Sequence, residues 1–309
     1  MNNMKTMLNE KKYVENKIIN PMSKQEKINT TKPFLELEKL SRYYYHIEKL
    51  DIDSIRTKLY EFLDYCKCNY NKVKSESTIE GILVSCQKRP LTIIESIGIT
   101  EIEMKIIKTL KDERLEKFLF GLLCCAKAHN EMFEKNNNWV NEDSMEIYKS
   151  CRLRSRDKDD RFMLLNKLLN ISYNGNPYIS ISKKNTNRNI RIEFVDYTSD
   201  IVLKIEDAEL NELGYTYMNY YGKCNITQCQ HCGKLIKIKS KFDSSTKYCD
   251  GCAREINYYE PMNTKIIKCV DCNKEFEVDS KSRRIRCDEC YKIERQRINK
   301  NYNNKTSSL

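Results

Sequence analysis

The spacing of apolar residues predicts a chain that is mainly helical and carries a few short strands. From Pro33 onwards, apolar residues recur three and four positions apart over long stretches, which is the spacing of one face of an α-helix. Strict alternation of apolar and polar residues appears at 178–195 and again after Lys234, where it predicts strands. The chain holds only 8 Gly and 5 Pro in 309 residues, which favours helices over a large sheet-and-turn architecture. The predicted fold class is therefore mainly α with small β elements.

The N-terminal part divides into a polar arm and a helical region. Residues 1–32 are rich in Asn and Lys and poor in aromatics, which predicts a disordered arm, with an ordered helix over 9–19 as the alternative. Residues 33–92 are predicted to be helical, with two helices joined by a polar turn at Asp51. This pair resembles a helix-turn-helix, but ordinary helical hairpins have the same pattern. At least two of the three tyrosines at 43–45 are expected to pack in the core.

Residues 93–200 are predicted to form a domain that resembles a winged helix. Thr100 and Glu103 form a capping box that opens a long helix. Further helices follow, and then a β-hairpin with arms at 178–182 and 190–195. Three helices followed by a hairpin is the layout of the winged-helix fold, in which the third helix enters the major groove and the wing lies on the phosphates.

Basic residues lie at both predicted contact points of this domain. The candidate nucleic-acid contacts at the start of the third helix and at the wing tip are Arg152, Arg154, Arg156, Lys158, Arg161, Lys183, Lys184 and Arg188. Phosphate binding requires cations at such points. Asp157, Asp159 and Asp160 interrupt the start of the helix, although acidic residues also suit a helix N-terminus because of its dipole. A winged helix used for protein contact is the alternative, because a fold does not fix a function.

The rest of the chain is predicted to consist of a connector, two cysteine-rich modules and a tail. The connector covers residues 201–222 and includes a short helix that ends at Gly214. The modules cover residues 223–258 and 263–300, and the second one closes with a basic helix. The tail covers residues 301–309 and is expected to be loose.

The two cysteine-rich modules repeat one pattern. Each contains two Cys-x-x-Cys pairs, and the eight cysteines are Cys229, Cys232, Cys249, Cys252, Cys269, Cys272, Cys287 and Cys290. The interiors align, since Lys234 matches Lys274. A tetrahedral zinc ion binds four thiolates, and this spacing is typical of a zinc ribbon. The residue after the first pair is Gly233 or Asn273, and these types most easily adopt the positive φ that the knuckle requires. An alternating run after each of them predicts one strand per module.

The chemistry favours two structural Zn²⁺ ions over the alternatives. Four cysteines fill the coordination sphere and leave no open position for catalysis. Disulfides are the alternative, but residues 1–30 are polar and lack the apolar core of a signal peptide. A chain that is not exported stays in a reducing compartment, where such cysteine pairs bind metal. We therefore expect a cytoplasmic protein in which both modules hold zinc.

The net charge favours an acidic partner. The formal charge is +11, and residues 223–309 contribute 19 Lys and Arg against 11 Asp and Glu. Two zinc sites with four thiolates each, both formally −2, reduce this surplus. Between the second pair of knuckles, Arg283, Arg284 and Arg286 are further candidate phosphate contacts. Nucleic acid, and DNA in the first place, is the expected partner. No apolar run approaches the roughly 18 residues of a membrane span, so no membrane partner is expected.

The order of the sequence segments resembles that of a known group of proteins. The chain runs from RYYYHIEKL through a middle part with the turn NNNWVN to the motifs CQHCGK…KYCDGC and KCVDCNKEFEVDSK…RCDEC. Over about residues 33–295 this order resembles uncharacterised phage and prophage proteins of Gram-positive bacteria. The resemblance implies a mobile-element origin and a cytoplasmic bacterial setting, and it implies no particular activity. Asn273 departs from the commoner Gly of such knuckles without threatening metal binding.

Together these patterns predict a zinc-binding, DNA-binding protein that acts in phage or mobile-element transcription or replication and is not an enzyme. The chain has no Gly-rich phosphate loop, no HExxH motif and no nucleophile with an adjacent base. Two alternatives stay open. The ribbons can instead dock on a host polymerase, replisome or defence protein, or scattered carboxylates can converge on Mg²⁺ as in a nuclease.

Overall fold

Helices make up about half of the chain, and the strands form several small sheets. The computed structural model describes residues 6–26, 28, 30, 33–67, 70–154, 159–182, 189–238, 247–255, 264–279 and 282–306. The chain divides into two units, one made of Met1–Thr227 and Gly233–Ser244 and the other of Gln228–Cys232 and Ser245–Leu309. The predicted class, mainly α with small β, is confirmed.

The N-terminal helices enclose a hydrophobic core of their own. They are α1 (Glu10–Val14), which continues through a π-helical turn (Glu15–Ile19) into α2 (Asn20–Ser23), and then α3 (Pro33–His46), α4 (Ile52–Tyr65) and α5 (Lys72–Cys86). Leu59 and Phe62 are fully buried in this core. Asp51 caps α4 as predicted, because its carboxylate accepts the N–H of the residue three positions on. Tyr43 and Tyr44 are buried, which confirms that at least two of the three tyrosines pack.

The predicted disordered arm is wrong for the described residues between 6 and 26. Leu8 and Val14 are fully buried. Glu10 and Arg42 form a buried ion pair with two contacts of 2.7 and 2.8 Å, and Asp207 accepts the N–H of Leu8 at 2.5 Å. These partners lie 32 and 199 positions away in the chain. Local composition is therefore a poor guide here, since distant residues order the segment.

A second and larger core surrounds one long helix. Its first elements are β1 (Ile97–Thr100), α6 (Glu101–Lys108) and α7 (Glu113–Phe133). The predicted capping box is present, because Thr100 accepts the N–H of Glu103 and the Glu103 carboxylate accepts the N–H of Thr100. The long helix predicted to follow is, however, broken, and Asp112 caps α7 as a separate helix. The apolar spacing hides this break because Leu110 and Leu115 continue it on either side.

A three-stranded sheet and two helices pack against α7. The elements are β2 (Trp139–Val140), α8 (Ser144–Ser150), α9 (Asp160–Asn170), the small hairpin β3 (Ser172–Tyr173) and β4 (Asn176–Pro177), and then β5 (Ile179–Ile181) and β6 (Ile190–Ile192). The sheet order is β2-β6-β5, and Ile190 of β6 lies opposite both Val140 and Ile181. Ile192 and Leu168 are fully buried, which joins the sheet and α9 to the core. The predicted hairpin is confirmed, and its tip at 183–188 lies outside the described residues.

Residues 201–222 belong to the core and are not a connector. They form β7 (Ile201–Ile205), α10 (Asp207–Leu210) and α11 (Leu213–Tyr220), and β7 pairs antiparallel with β1. Tyr217 is fully buried, and its hydroxyl donates to Glu116 at 2.9 Å. Gly214 was expected to end a helix, but it lies inside α11, where a Cβ would come within 2.1 Å of the Cys151 carbonyl oxygen. The glycine is needed for this close approach of two backbones.

The cysteine-rich modules contain hairpins and helices. β8 (Ile226–Gln228) pairs with β9 (Leu235–Lys237), and β9 packs against α11. The smaller unit contains α12 (Asp250–Glu255), β10 (Thr264–Lys268), β11 (Glu275–Asp279) and α13 (Asp288–Thr306), with β10 and β11 antiparallel. α13 is helical through Thr306, so the predicted loose tail is wrong up to that residue. Among the residues described, no helix combines the length and the apolar character needed to cross a bilayer.

Candidate metal centres

Four cysteine sulfurs converge in each of the two modules. Within each set all sulfurs lie within 4.8 Å of one another, and the sets are Cys229, Cys232, Cys249 and Cys252, and Cys269, Cys272, Cys287 and Cys290. One sulfur pair measured in each set is 3.8 Å apart in the first and 3.7 Å in the second. A tetrahedron of four sulfurs around zinc, with bonds of about 2.3 Å, has edges of about 3.8 Å, whereas a disulfide requires about 2.05 Å. The two sets therefore fit two structural zinc ions.

Equivalent turns position the ligands in the two centres. After the first cysteine pair, Gly233 has a φ of 72° and Asn273 a φ of 58°, so the predicted left-handed knuckle residues are confirmed. The third cysteine of each set immediately precedes a helix, α12 or α13. In both, the carbonyl of that cysteine accepts an N–H at 2.9 Å from the residue four positions on. Each centre thus joins a hairpin turn to the start of a helix.

Backbone N–H groups favour the thiolate form of one ligand in each centre. The Cys249 N–H donates to the Cys229 sulfur at 3.3 Å, and the Cys287 N–H donates to the Cys269 sulfur at 3.4 Å. Burial is the largest influence on Cys229 and opposes ionisation, but N–H groups of Cys249 and of its own knuckle together lower its pKa to about 6. For Cys269 the bond from Cys287 is the main cause that lowers the pKa to about 6. Zinc binds thiolates, so these hydrogen bonds prepare both centres for the metal.

The arrangement suits a structural role for the metal. Four thiolates complete a tetrahedral shell and leave no position for a substrate or a reactive water. Cys229 and Cys252 of the first centre are buried and its other two ligands are partly buried, while the second centre has one exposed ligand, Cys272. His231 is exposed and is not one of the ligands in either set.

Two strands of the modules were missed by the sequence analysis. β8 and β10 precede the first cysteine pair and complete a hairpin whose turn carries the first two ligands. Their signal was the short β-branched stretch before each pair, with Ile226 and Thr227 in one and Ile266 and Ile267 in the other. Such stretches are too short to show a period.

The described cations predicted at the start of the third helix do not all lie there. Arg152 and Arg154 precede α9, which begins at Asp160, and Arg161 lies in its first turn. Arg152 forms a two-pronged ion pair with Glu212, whose side chain is 1% exposed. The Arg161 side chain is 18% exposed and lies 3.9 Å from Asp143. Arg154 is exposed, and none of the ion pairs in the described part of the chain involves it. The other predicted contacts of this domain lie outside the described residues, and they are Arg156, Lys158, Lys183, Lys184 and Arg188.

The arginines of the second module are largely held within it. Arg284 pairs with Asp288 at 2.6 Å, and its guanidinium lies over the Phe276 ring at 5.5 Å. Arg286 pairs with Asp271 at 2.6 Å. Arg283 is exposed, which makes it the best placed of the three for a phosphate contact.

Two cations were missed by the sequence analysis. Arg114 and Lys117 of α7 line a cleft of about 400 Å³ together with Arg152 and Arg154. Their signal was weak, because both stand in a helix that the apolar pattern assigns to the core. The fold brings them next to the turn after α8.

The remaining described cysteines have no metal-site geometry. Cys86, Cys124, Cys125, Cys151 and Cys224 are buried, which is typical of free cysteines in a core, and Cys66 is partly buried. Burial raises the pKa of Cys124 and Cys125 well above the usual thiol value and that of Cys151 to about 12. Among the described residues, the two cysteine sets are the groups close enough to hold a metal ion.

The likeness of the chain to known proteins is too low to assign it to a family. No protein-family model, curated protein or solved structure matches it. The resemblance to phage and prophage proteins therefore stays a prediction, while the two metal centres are supported by their own geometry.

Proposed function

We propose that this chain is a zinc-binding protein that binds nucleic acid, duplex DNA in the first place, through residues 113–192. In this proposal the segment is a winged helix, with α9 in the major groove and the β5–β6 hairpin as the wing. The two zinc ribbons act as rigid platforms and not as catalytic centres. The protein acts without catalysis in the transcription or replication of a phage or another mobile element.

The strand order is the observation that carries the proposal. A winged helix runs through a helix, a strand, two helices and a hairpin, and its first strand pairs with the last strand of the hairpin. Here α7, β2, α8, α9, β5 and β6 follow in that order, with the small hairpin β3–β4 inserted between α9 and β5, and the sheet order is β2-β6-β5. A β2 that joined the sheet through β5 would have argued against a winged helix.

The charges near α9 support the same proposal. Arg154 is exposed at the turn that leads to α9, and Lys167 is exposed on α9 itself. Asp160, which opposed DNA contact in the sequence, is a buried residue that accepts hydrogen bonds from Arg114 and Tyr148. Its charge is therefore compensated within the protein, which leaves the cations to act on a phosphate backbone.

A mobility-shift assay with a salt titration tests the proposal. Zinc-loaded protein is expected to bind duplex DNA with an affinity that falls steeply as salt rises. Lys167→Gln is expected to weaken this binding, while Lys105→Gln, which removes an exposed cation from α6, leaves it unchanged. Absence of binding at low salt to duplex DNA, single-stranded DNA and RNA would refute the proposal.

A second function, docking on a host protein, is favoured by the surface of the second ribbon. Five large apolar side chains there are between 51% and 71% exposed, and they are Ile266, Val270, Ile285, Tyr291 and Ile293. The described part of the first ribbon exposes no large apolar side chain to this extent. Such side chains are typical of protein interfaces. A partner captured from host lysate after nuclease treatment, and lost in Ile285→Asp while DNA binding persists, would establish this function.

A further inference from the structure

Four cations line one cleft beside the turn that follows α8. The cleft has a volume of about 400 Å³, and the described residues that line it are Arg114, Lys117, Arg152, Leu153 and Arg154, none of which is a carboxylate. Arg114 and Lys117 are three positions apart on α7, and the other three residues follow the C-terminus of α8. The packing of α8 on α7 therefore creates a concentration of positive charge, which we call the cation cleft.

The carboxylates that pair with these cations are outnumbered. The ion pairs around the cation cleft join five cations to three carboxylates, and the pairs are Arg114–Asp160, Lys117–Glu113, Lys223–Glu113, Arg152–Glu212 and Lys234–Glu212. Arg154 lines the cleft without an ion pair in the described part of the chain. Two of the carboxylates each serve two cations, since Glu113 also lies 2.6 Å from Lys223 and Glu212 lies 3.3 Å from Lys234. Together with Arg154 these described residues carry six positive and three negative charges, and a surplus of positive charge around a cleft attracts an anion into it.

The backbone and its neighbours hold Arg152 at the wall of the cation cleft. α8 ends in a turn in which the N–H groups of Arg152 and Leu153 donate to carbonyls of the last helical turn. Arg152 has a φ of 53°, a left-handed conformation that glycine adopts more easily. An arginine at this position places its guanidinium between the Glu212 carboxylate and the Tyr215 ring, 5.1 Å away. The guanidinium is therefore fixed before any ligand arrives.

Arg114 is fixed in a similar way on the opposite wall. It pairs with Asp160 and donates at 3.2 Å both to the Tyr148 hydroxyl and to the Arg154 carbonyl. The contact with Arg154 ties α7 to the turn after α8. Guanidinium groups that are already ordered bind an anion with a smaller loss of conformational freedom.

We propose that the cation cleft binds a phosphate group, which in the function proposed above belongs to the backbone of the nucleic acid. The exposed Arg154 guanidinium can donate two parallel hydrogen bonds to phosphate oxygens, and the paired cations of the cleft add positive charge. The surplus of three charges matches an anionic group and not a neutral one. The identification of the phosphate as part of a nucleic acid rests on the proposed function, whereas the phosphate chemistry rests on the cleft alone.

Thermal unfolding and duplex binding of four zinc-loaded proteins test this site, and they are the wild type, Arg154→Gln, Lys117→Gln and Arg89→Gln. Arg154→Gln removes an exposed cation of the cleft, and Arg89→Gln is the matched control, an exposed arginine elsewhere in the larger unit. Inorganic phosphate is expected to raise the melting temperature of the wild type above its value in chloride at equal ionic strength. Arg154→Gln is expected to reduce this rise and to lower the salt dependence of duplex binding by about one phosphate contact, a slope change of about 0.9. Arg89→Gln is expected to keep both wild-type values.

The possible outcomes distinguish a failure of the cleft proposal from a failure of the proposed function. If Arg154→Gln and Lys117→Gln, both folded, respond to phosphate and duplex as Arg89→Gln does, the cation cleft is not a phosphate site. If the duplex binds but these variants leave its salt dependence unchanged, the cleft proposal fails while the proposed function stands. If phosphate stabilises the wild type through these cations and no nucleic acid binds, the proposed function fails, and the ligand of the cleft is a free phosphate compound.

Discussion

The two zinc ribbons have metal centres of the same geometry and differ in the residues that surround them. Their measured sulfur separations are 3.8 and 3.7 Å, and one thiol in each has its pKa lowered to about 6 by donated N–H groups. The equivalent lysines have different partners. Lys234 lies 3.3 Å from Glu212, whose side chain is 1% exposed, while Lys274 lies 3.9 Å from Glu289, whose side chain is 78% exposed.

This difference shows which parts of a duplicated module are constrained by the metal. Zinc fixes the knuckles and the start of the following helix, because four ligands must meet at one point. The outward surfaces are free to diverge. The described residues 233–238 of the first copy belong to the larger unit, where β9 packs against α11, whereas its four cysteines belong to the smaller unit. The second copy instead exposes large apolar side chains such as Ile266 and Ile293. We infer that one copy contributes to the larger unit and the other offers a surface for a partner.

Removing one ligand from each centre is expected to have the largest effect. Cys229→Ser and Cys269→Ser should each reduce the zinc content from two ions to one, since three thiolates bind the ion much more weakly. Structural zinc contributes about 10–16 kcal/mol to the folding of small modules, so the altered ribbon is expected to unfold. Native mass spectrometry measures the stoichiometry. Cys66→Ser, a thiol outside both sets, is the control and should keep two ions.

The same variants test the inferred difference between the copies. Cys229→Ser is expected to increase hydrogen exchange in α11, because β9 packs against that helix. Cys269→Ser is expected to leave exchange in α11 unchanged. Equal behaviour of α11 in the two variants would contradict the inference that only the first copy supports the larger unit.

Acid is expected to release zinc from the two ribbons over the same pH range. The pKa values of Cys229 and Cys269 are lowered to about 6 from the usual thiol value. In the metal-free centres the stabilisation that these thiolates provide is therefore present above the usual thiol pKa of about 8.5 and is lost as pH falls through about 6. Bound zinc competes with protons for the thiolates, so release from the zinc-loaded ribbons is expected below that pH. A zinc indicator dye, used on the Cys229→Ser and Cys269→Ser proteins, reports each remaining centre separately. Release curves separated by more than about one pH unit would show that the centres differ despite their common geometry.

Neutralising the carboxylate partner of each equivalent lysine is expected to have an intermediate and unequal effect. Glu212→Gln leaves Arg152 and Lys234 without their charge partner, and we expect a loss of about 2 kcal/mol. This is below the roughly 3–5 kcal/mol of a fully buried pair, because both cations are partly exposed. Glu289→Gln breaks an exposed contact and should cost less than about 1 kcal/mol. Urea unfolding of the zinc-loaded proteins measures both, and equal losses would remove the distinction between the two lysines.

The parts of the fold that depend on local chemistry were predictable from the sequence. The eight ligands, the left-handed Gly233 and Asn273 and the capping box of Thr100 with Glu103 all involve residues close in the chain. In each case a residue type at a fixed spacing predicts one local structure.

The parts that depend on distant contacts were not predictable in this way. Asp207 orders Leu8 from 199 positions away, and the hydroxyl of Tyr217 reaches Glu116 across 101 positions. No local pattern contains such partners. The predictions of a disordered arm at 1–32 and of a connector at 201–222 were wrong for this reason. Arg152 shows the same limit within a candidate site, since its sequence position suggested a free cation and its ion pair with Glu212 appears only in the folded chain.

Substitutions of the knuckle residues Gly233 and Asn273 are expected to have the smallest effect. They compare the backbone requirements of the two metal centres directly. A Cβ added at Gly233 meets no atom within 4 Å, so Gly233→Ala is opposed by backbone strain alone. Left-handed backbone costs a residue with a Cβ roughly 1–2 kcal/mol, which corresponds to a fall in zinc affinity of about 5- to 30-fold. Asn273→Gly relieves the strain at the second knuckle but increases the freedom of the unfolded chain, so it should change zinc affinity little. Chelator competition measures both affinities. A large loss in Asn273→Gly would mean that the asparagine side chain supports the second centre in a way that the first centre does without.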